Sequence, residues 1–313
     1  KPITLIVGYP AGGSTDLTGR TLGDALAKQL GVPVVIENVG GAGGAIGAQK
    51  AANAAPDGYT LFVGANNEVA INKLVTKSVK YDLKDFTPIS RLTSGQFILA
   101  VHPSLPVKSV DELVKYLREN PGKVTYATAN ATSTVAMAWL AALKNLDVIR
   151  VNYVSAPRAV ADLLAGHVQM TFGDQANVAP PVQDGQLRGL AVTGATRSDL
   201  VPSLPTLREA GYDASLTGWS TVLAPAGTPD DVIKTLIEAF TVALNDKEFD
   251  DFIKTNASRK FTPSLSGEAL NEFHRAEMKK IAHDQLGTLC APIVTTPASG
   301  STVMTATLSM PWT

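Results

Sequence analysis

The sequence predicts an α/β chain of two doubly wound lobes with a hinged cleft between them, and three observations carry that prediction. Short apolar, β-branched runs alternate with helical patterns for most of the 313 residues, as in parallel sheets flanked by helices. A strand running into a small-residue polar turn and then a helix occurs twice, near residue 12 and near residue 130. Two apolar segments, near 97–102 and 220–225, read as paired crossings between lobes. They divide the chain into a first lobe of residues 1–98 plus 224–313 and a second lobe of residues 99–223.

The first strand, residues 3–7 (ITLIV), is apolar on both faces, as a buried parallel strand must be. Gly12-Gly13-Ser14-Thr15-Asp16 follows and opens a helix over 17–30 with apolar positions at Leu22, Leu26 and Leu30. A second strand is predicted at 33–38. A glycine-rich turn over 40–47 then opens a helix at 48–55, and Pro56-Asp57-Gly58 turns the chain into a third strand at 59–64. Right-handed crossovers make this βαβαβ run a parallel sheet. Strands follow at 86–91 and 97–101, and Ser109 with Glu112 three residues on signals a capping box. The second lobe reads as a strand at 122–127, the polar loop 128–134, an apolar helix to about 146, and strands at 148–153, 168–172 and 187–193. Residues 222–225 cross back. A helix with Pro229 at its first position then covers 231–244, and further helices cover 247–256 and 267–284.

Bulk composition excludes several classes. Twenty-seven basic against 28 acidic residues leave a net charge of −1, without the basic excess of a nucleic-acid binder. No apolar run is long enough to span a membrane. The single cysteine, Cys290, allows no disulfide framework, which suits a periplasm as well as a cytosol. The chain begins almost on a strand at Lys1-Pro2, so a removed signal peptide is expected. Residues 285–313 hold no Asp, Glu, Lys, Arg or His and read as a frayed tail, an added edge strand or an artefact of expression.

Catalytic patterns are absent. In Gly41-Ala42-Gly43-Gly44-Ala45-Ile46 the third glycine of a dinucleotide fingerprint falls on Ile46. No glycine-rich turn carries a Walker lysine, and there is no Gly-x-Ser-x-Gly elbow. His102, His167, His274 and His283 are scattered without metal-ligand spacing. No catalytic residue, metal or cofactor is therefore expected. A glycine turn at a helix N-terminus does hold an anion without a formal positive charge, through backbone N–H groups and the helix dipole. The alternative reading of the first turn is an ordinary helix start with Thr15 or Asp16 as N-cap. Ligands in open α/β sheets sit at the carboxyl ends of strands, where both loops, 12–16 and 128–134, lie.

Eight segments in order resemble the Bug receptors of bacterial tripartite tricarboxylate transporters. They are residues 3–16, 31–38 (GVPVVIEN), 41–48 (GAGGAIGA), 54–61 (AAPDGYTL), 120–126 (NPGKVTY), 189–193 (GLAVT), 204–211 (LPTLREAG) and 224–229 (APAGTP). The resemblance implies a type II-like periplasmic binding protein, expected as a monomer. It would close two lobes over a small organic acid, a dicarboxylate or an aromatic carboxylate, and deliver it to membrane permease subunits. It implies ligand contacts from Gly12, Gly13, Ser14, Thr15 and Asp16 in one loop and from Thr128, Asn130, Thr132, Ser133 and Thr134 in the other, with Asn66 from the loop after strand three. Tyr9 would stack on the ligand or wall the cleft.

The chain also departs from the family pattern. A usual lysine after Tyr153 is missing, and Arg158 stands four residues on, either to clamp a distal carboxylate or as a solvated helix-start residue. Asp174 is shifted by one residue, so its carboxylate is re-aimed or turned away. Glu68 either points outward or meets a ligand that carries an N–H or ammonium group. Two other functions stay open: a sensor presenting the ligand to a histidine kinase, and a hydrolase using Ser14 or Ser133 with Asp174.

Overall fold

The computed structural model describes residues 1–75, 79–255, 259–260 and 265–281. The uncharged stretch 285–313 and residues 282–284 of the last predicted helix lie outside the described residues. No described helix is long and apolar enough to cross a membrane.

In the first lobe β1 (Ile3–Val7) lies between β2 (Val34–Asn38) and β3 (Thr60–Ala65), parallel to both, with Leu5 opposite Ile36 and Leu61. Helices α1 (Ser14–Leu30) and α2 (Ala45–Ala52) make the crossovers. Alternation in β1 feeds two layers: Leu5 and Val7 pack with Leu22, Leu26 and Phe240 on one face, and Ile6 packs with Ala48, Phe62 and Leu223 on the other. A π-turn at Asn67–Ile71 runs into α3 (Asn72–Val75), and a 3-10 turn at Leu83–Asp85 leads to β4 (Phe86–Val101).

The two strands predicted at 86–91 and 97–101 are this one strand of 16 residues. The intervening Ser94, Gly95 and Gln96 keep pairing, with Trp219, Gly218 and Thr217, so the apparent polar break is a lobe crossing and not a loop.

The second lobe runs α4 (Val110–Glu119), β5 (Thr125–Thr128), α5 (Ala131–Lys144), β6 (Ile149–Asn152), α6 (Ala156–Leu164), β7 (Met170–Asp174), α7 (Gln175–Gln183) and β8 (Arg188–Val192). The second half of β4 pairs antiparallel with both β7 and β8, while β5 pairs parallel with β6 and β7. Leu99, Leu113, Leu117, Met137, Leu140, Met170 and Phe172 form the buried core there. The Ser109 hydroxyl caps α4 by accepting the Glu112 N–H, but the Glu112 carboxylate accepts the Lys108 N–H instead of closing a full capping box.

The chain returns along β9 (Thr217–Pro225), antiparallel between β3 and β4. It continues through α8 (Asp230–Ala243), α9 (Lys247–Thr255), β10 (Arg259–Lys260) and α10 (Gly267–Lys280). Pro229 is the N-cap of α8, one place earlier than the sequence pattern suggests. The sheet order β2-β1-β3-β9-β4-β7-β5-β6, with β8 and β10 also on β4, places the two long strands between the lobes.

Candidate ligand-binding site

An open cleft with an enclosed volume of about 120 Å³ lies where the carboxyl ends of the strands from both lobes meet. Tyr9 and Pro10 follow β1, Asn66 and Asn67 follow β3, Ala129 and Asn130 follow β5, Ser155 and Ala156 follow β6, and Asp174 ends β7; all line it. Of the residues the sequence nominated, Tyr9, Gly13, Ser14, Thr15, Asn66, Asn130 and Asp174 line this one cleft. Gly12, Asp16, Thr128, Thr132, Ser133, Thr134 and Arg158 do not.

In the first turn Gly13 is the N-cap of α1, and no side chain caps that terminus. Neither Thr15 nor Asp16 takes the capping place. Asp16 is buried and faces inward, accepting hydrogen bonds from the Gly12 N–H at 2.8 Å, the Asn38 amide at 2.8 Å and the Arg20 Nε at 3.0 Å. Burial pushes its carboxyl up, but these donors and the Arg20 charge outweigh it and hold the group below its usual value. Asp16 therefore fastens the glycine turn from behind, and Gly12 spends its N–H on that anchor. Ser14 and Thr15, in the first turn of α1 where N–H groups have no intrahelical partner, line the cleft.

The second loop is used differently from the sequence expectation. The Asn130 side chain caps α5 by accepting the Ser133 N–H at 2.8 Å. The hydroxyls of Thr128, Ser133 and Thr134 all bond to the Asn130 carbonyl, and Thr128 also bonds to Ser133 and Thr134. Thr132, fully buried, gives its N–H and hydroxyl to Asn67 Oδ1, both at 2.8 Å, and accepts from the Asn66 amide at 2.9 Å. The remaining Asn67 amide hydrogen-bonds the Tyr9 hydroxyl at 2.9 Å. Asn67 of the first lobe thus caps a helix of the second. The hydroxyls expected to grip a ligand are consumed by the loop and by the lobe joint.

The open helix terminus of the second lobe is α6. Its N-cap Ser155 makes no side-chain capping bond, Pro157 sits in the first turn, and Ser155 and Ala156 line the cleft. Sequence reasoning placed a helix start here, as the alternative for Arg158, but did not weigh its terminus as part of the site; the readable signal was Ser155-Ala156-Pro157 directly after a strand. Arg158 itself is exposed outside the cleft, its charge acting on Tyr153 and Asp162, which hydrogen-bond each other.

Asp174 is the N-cap of α7, accepting the N–H and side-chain amide of Asn177. Burial raises its carboxyl above the usual value against those bonds. It is the one charged side chain among the described residues lining the cleft. Also unforeseen are the walls from the crossing strands and α9: Thr93, Gln96, Phe97, Trp219, Ser220 and Phe252.

Glu68 adopts neither expected orientation. It is 1% exposed and folds back so that Oε2 accepts the Ala65 N–H at 2.7 Å, while Oε1 is buried with no hydrogen-bond partner. Oε1 lies against Gly44, whose φ of +89° and lack of a side chain make the space; a Cβ there would collide with it. Burial pushes the Glu68 carboxyl up to about 7 despite the Tyr9 hydroxyl and the Ala65 N–H.

Comparison with known proteins identifies the family and the fold. The sequence model described as the tripartite tricarboxylate transporter family receptor matches residues 18–283. Protein BugT of Bordetella pertussis is 35% identical over 272 residues, covering 85% of this chain and 82% of BugT. The structure of the periplasmic binding protein BugD superposes with a TM-score of 0.86 at 27% identity, over 92% of this chain and 97% of BugD. An R. palustris protein solved with adipate gives a TM-score of 0.85 at 28% identity, over 92% of this chain and 96% of that one. The fold is that of the Bug-type periplasmic binding proteins, and the chain belongs to the tripartite tricarboxylate transporter receptor family.

Proposed function

We propose that the protein is a periplasmic receptor that closes over a small organic carboxylate and delivers it to the permease of a tripartite transporter. The observation that carries this reading is the pair of helix termini without side-chain caps, α1 from the first lobe and α6 from the second, facing one cleft that no described lysine, arginine or histidine lines. Each terminus offers N–H donors and the positive end of a helix dipole. A carboxylate bridging both is bound more tightly in the closed form, so the ligand shifts the population toward closure. In this reading residues 1–98 with 224 onward move against residues 99–223, with Gly13, Ser14, Thr15 and Asn66 on one side and Asn130 and Asp174 on the other. The alternative of a serine acting with Asp174 has less behind it: Ser133 is buried on the Asn130 carbonyl, and Asp174, which lines the cleft with Ser14, is engaged by the Asn177 N–H and amide.

Thermal-shift and calorimetric titration against a panel of organic acids tests the proposal. Stabilisation by at least one carboxylate is expected. Ser14→Glu places a resident carboxylate at the first turn of α1, which a helix tolerates or favours by a few tenths of a kcal/mol. Its melting temperature should hold while affinity falls tenfold or more. A panel in which no acid stabilises the protein refutes the receptor reading.

A further inference from the structure

Among the described residues four α-helices begin at the cleft, and two of them are already satisfied. The terminus of α5 is capped by Asn130 and, from the other lobe, by Asn67. The terminus of α7 is capped by the Asp174 carboxylate. That leaves α1 and α6, one from each lobe, for the incoming carboxylate. Phe97 and Asp174 are direct partners across the β4–β7 ladder, so their side chains stand on the same face of the sheet. Both line the cleft, as do the rings of Tyr9, Trp219 and Phe252. The part of a ligand that packs along the Phe97 ring therefore meets a carboxylate, with no cationic side chain among the described lining residues to offset it.

Resting on the receptor reading above, we propose that this cleft selects a monocarboxylate whose other end is a ring bearing an N–H donor, and that Asp174 is the specificity-determining residue that rejects a second carboxylate. The carboxylate lies between the first turns of α1 and α6, the ring packs on Phe97, and the donor reaches Asp174. This differs from the R. palustris neighbour solved with the dicarboxylate adipate. Like charges brought together in a partly buried site repel strongly, whereas an ammonium opposite Asp174 forms a charge-assisted hydrogen bond.

Three acids on one ring separate the terms: 3-(aminomethyl)benzoate, benzoate and isophthalate, with adipate as a fourth probe, all titrated calorimetrically at pH 7.5. The expected order is 3-(aminomethyl)benzoate tightest, then benzoate, then isophthalate and adipate, with at least tenfold between the first and the two diacids. Asp174→Asn keeps a good N-cap for α7, so the fold should persist. In that variant the tenfold span should shrink below threefold, the amine losing and the diacids gaining. Adipate or isophthalate binding as tightly as the amine in the unaltered protein overturns this assignment while leaving the receptor reading in place. An unchanged span in Asp174→Asn overturns it too. If no acid in this set or the broader panel binds, the receptor reading itself fails and takes this one with it. Should Asp174→Asn not fold, the order in the unaltered protein decides.

Discussion

Replacing Asn67 with alanine is expected to cost about 3 kcal/mol of unfolding free energy, since each buried polar group left without a partner costs about 1–3 kcal/mol. One amide serves three groups: its oxygen takes the N–H and the hydroxyl of Thr132, and its nitrogen reaches the Tyr9 hydroxyl. Asn67 and Thr132 are both buried, so water is poorly placed to stand in. The loss strikes both lobes at once, removing a cap from α5 and the support behind a cleft-lining ring. Urea unfolding measures it. Asn67→Asp, which keeps the acceptor toward Thr132 and loses the donor toward Tyr9, should fall between. A loss under about 1 kcal/mol for the alanine variant would mean that solvent fills the joint, contrary to a dry interlobe cap.

Replacing Glu68 with glutamine is expected to raise stability at pH 8 and to change the shape of the pH profile. The carboxyl titrates near 4.5 when unfolded and near 7 when buried in the folded protein. Between those values the folded chain holds a proton that the unfolded chain has released, so stability falls as pH rises from about 4.5 to about 7 and stays low above it. The interval corresponds to about 3 kcal/mol. His274 acts in the opposite sense. Fully buried and stacked on Trp219 with neither ring nitrogen hydrogen-bonded, it is held down to about 3 by burial and by the Arg91 charge. Its contribution is present above about pH 6.5 and lost as pH falls toward 3. The two slopes offset each other between about 4.5 and 6.5 in the unaltered protein. With Glu68→Gln the histidine slope should stand alone, with stability climbing to about pH 6.5 and then level. A variant that tracks the parent from pH 4 to 8.5 would show that Glu68 is ionised without penalty.

The β1–turn–α1 unit was legible because its signals are local: a β-branched run, a glycine turn, then helical periodicity with Leu22 and Leu26 on the sheet side. The family likeness was legible because eight short local segments occur in order along the chain. What the hydroxyls of 128–134 do was not legible. Thr132 is taken by Asn67, 65 residues earlier, and no local pattern announces a cap supplied by the other lobe. Glu68 was misplaced in the same way, because the space that admits its buried carboxyl comes from Gly44 on a separate segment. The continuity of β4 was hidden because Ser94-Gly95-Gln96 falls between the two strands the sequence suggests, and only its pairing with β9 joins them. Helix starts were legible at Ser109 and Pro229 as well as at the glycine turns; what went unweighed was that the start at Ser155 opens into the cleft.

A strand that belongs to two hydrophobic cores couples their fates. β4 contributes Ile89 and Leu92 to the interior of one lobe and Leu99 and Val101 to that of the other, so neither core melts without stripping the strand from its partner. Heating should give a single calorimetric peak rather than two. The closure proposed for the receptor would then be torsion within a hydrogen-bonded ribbon, whose register irregularities at Pro88/Ser90 and Arg91/Ser94 increase its local twist.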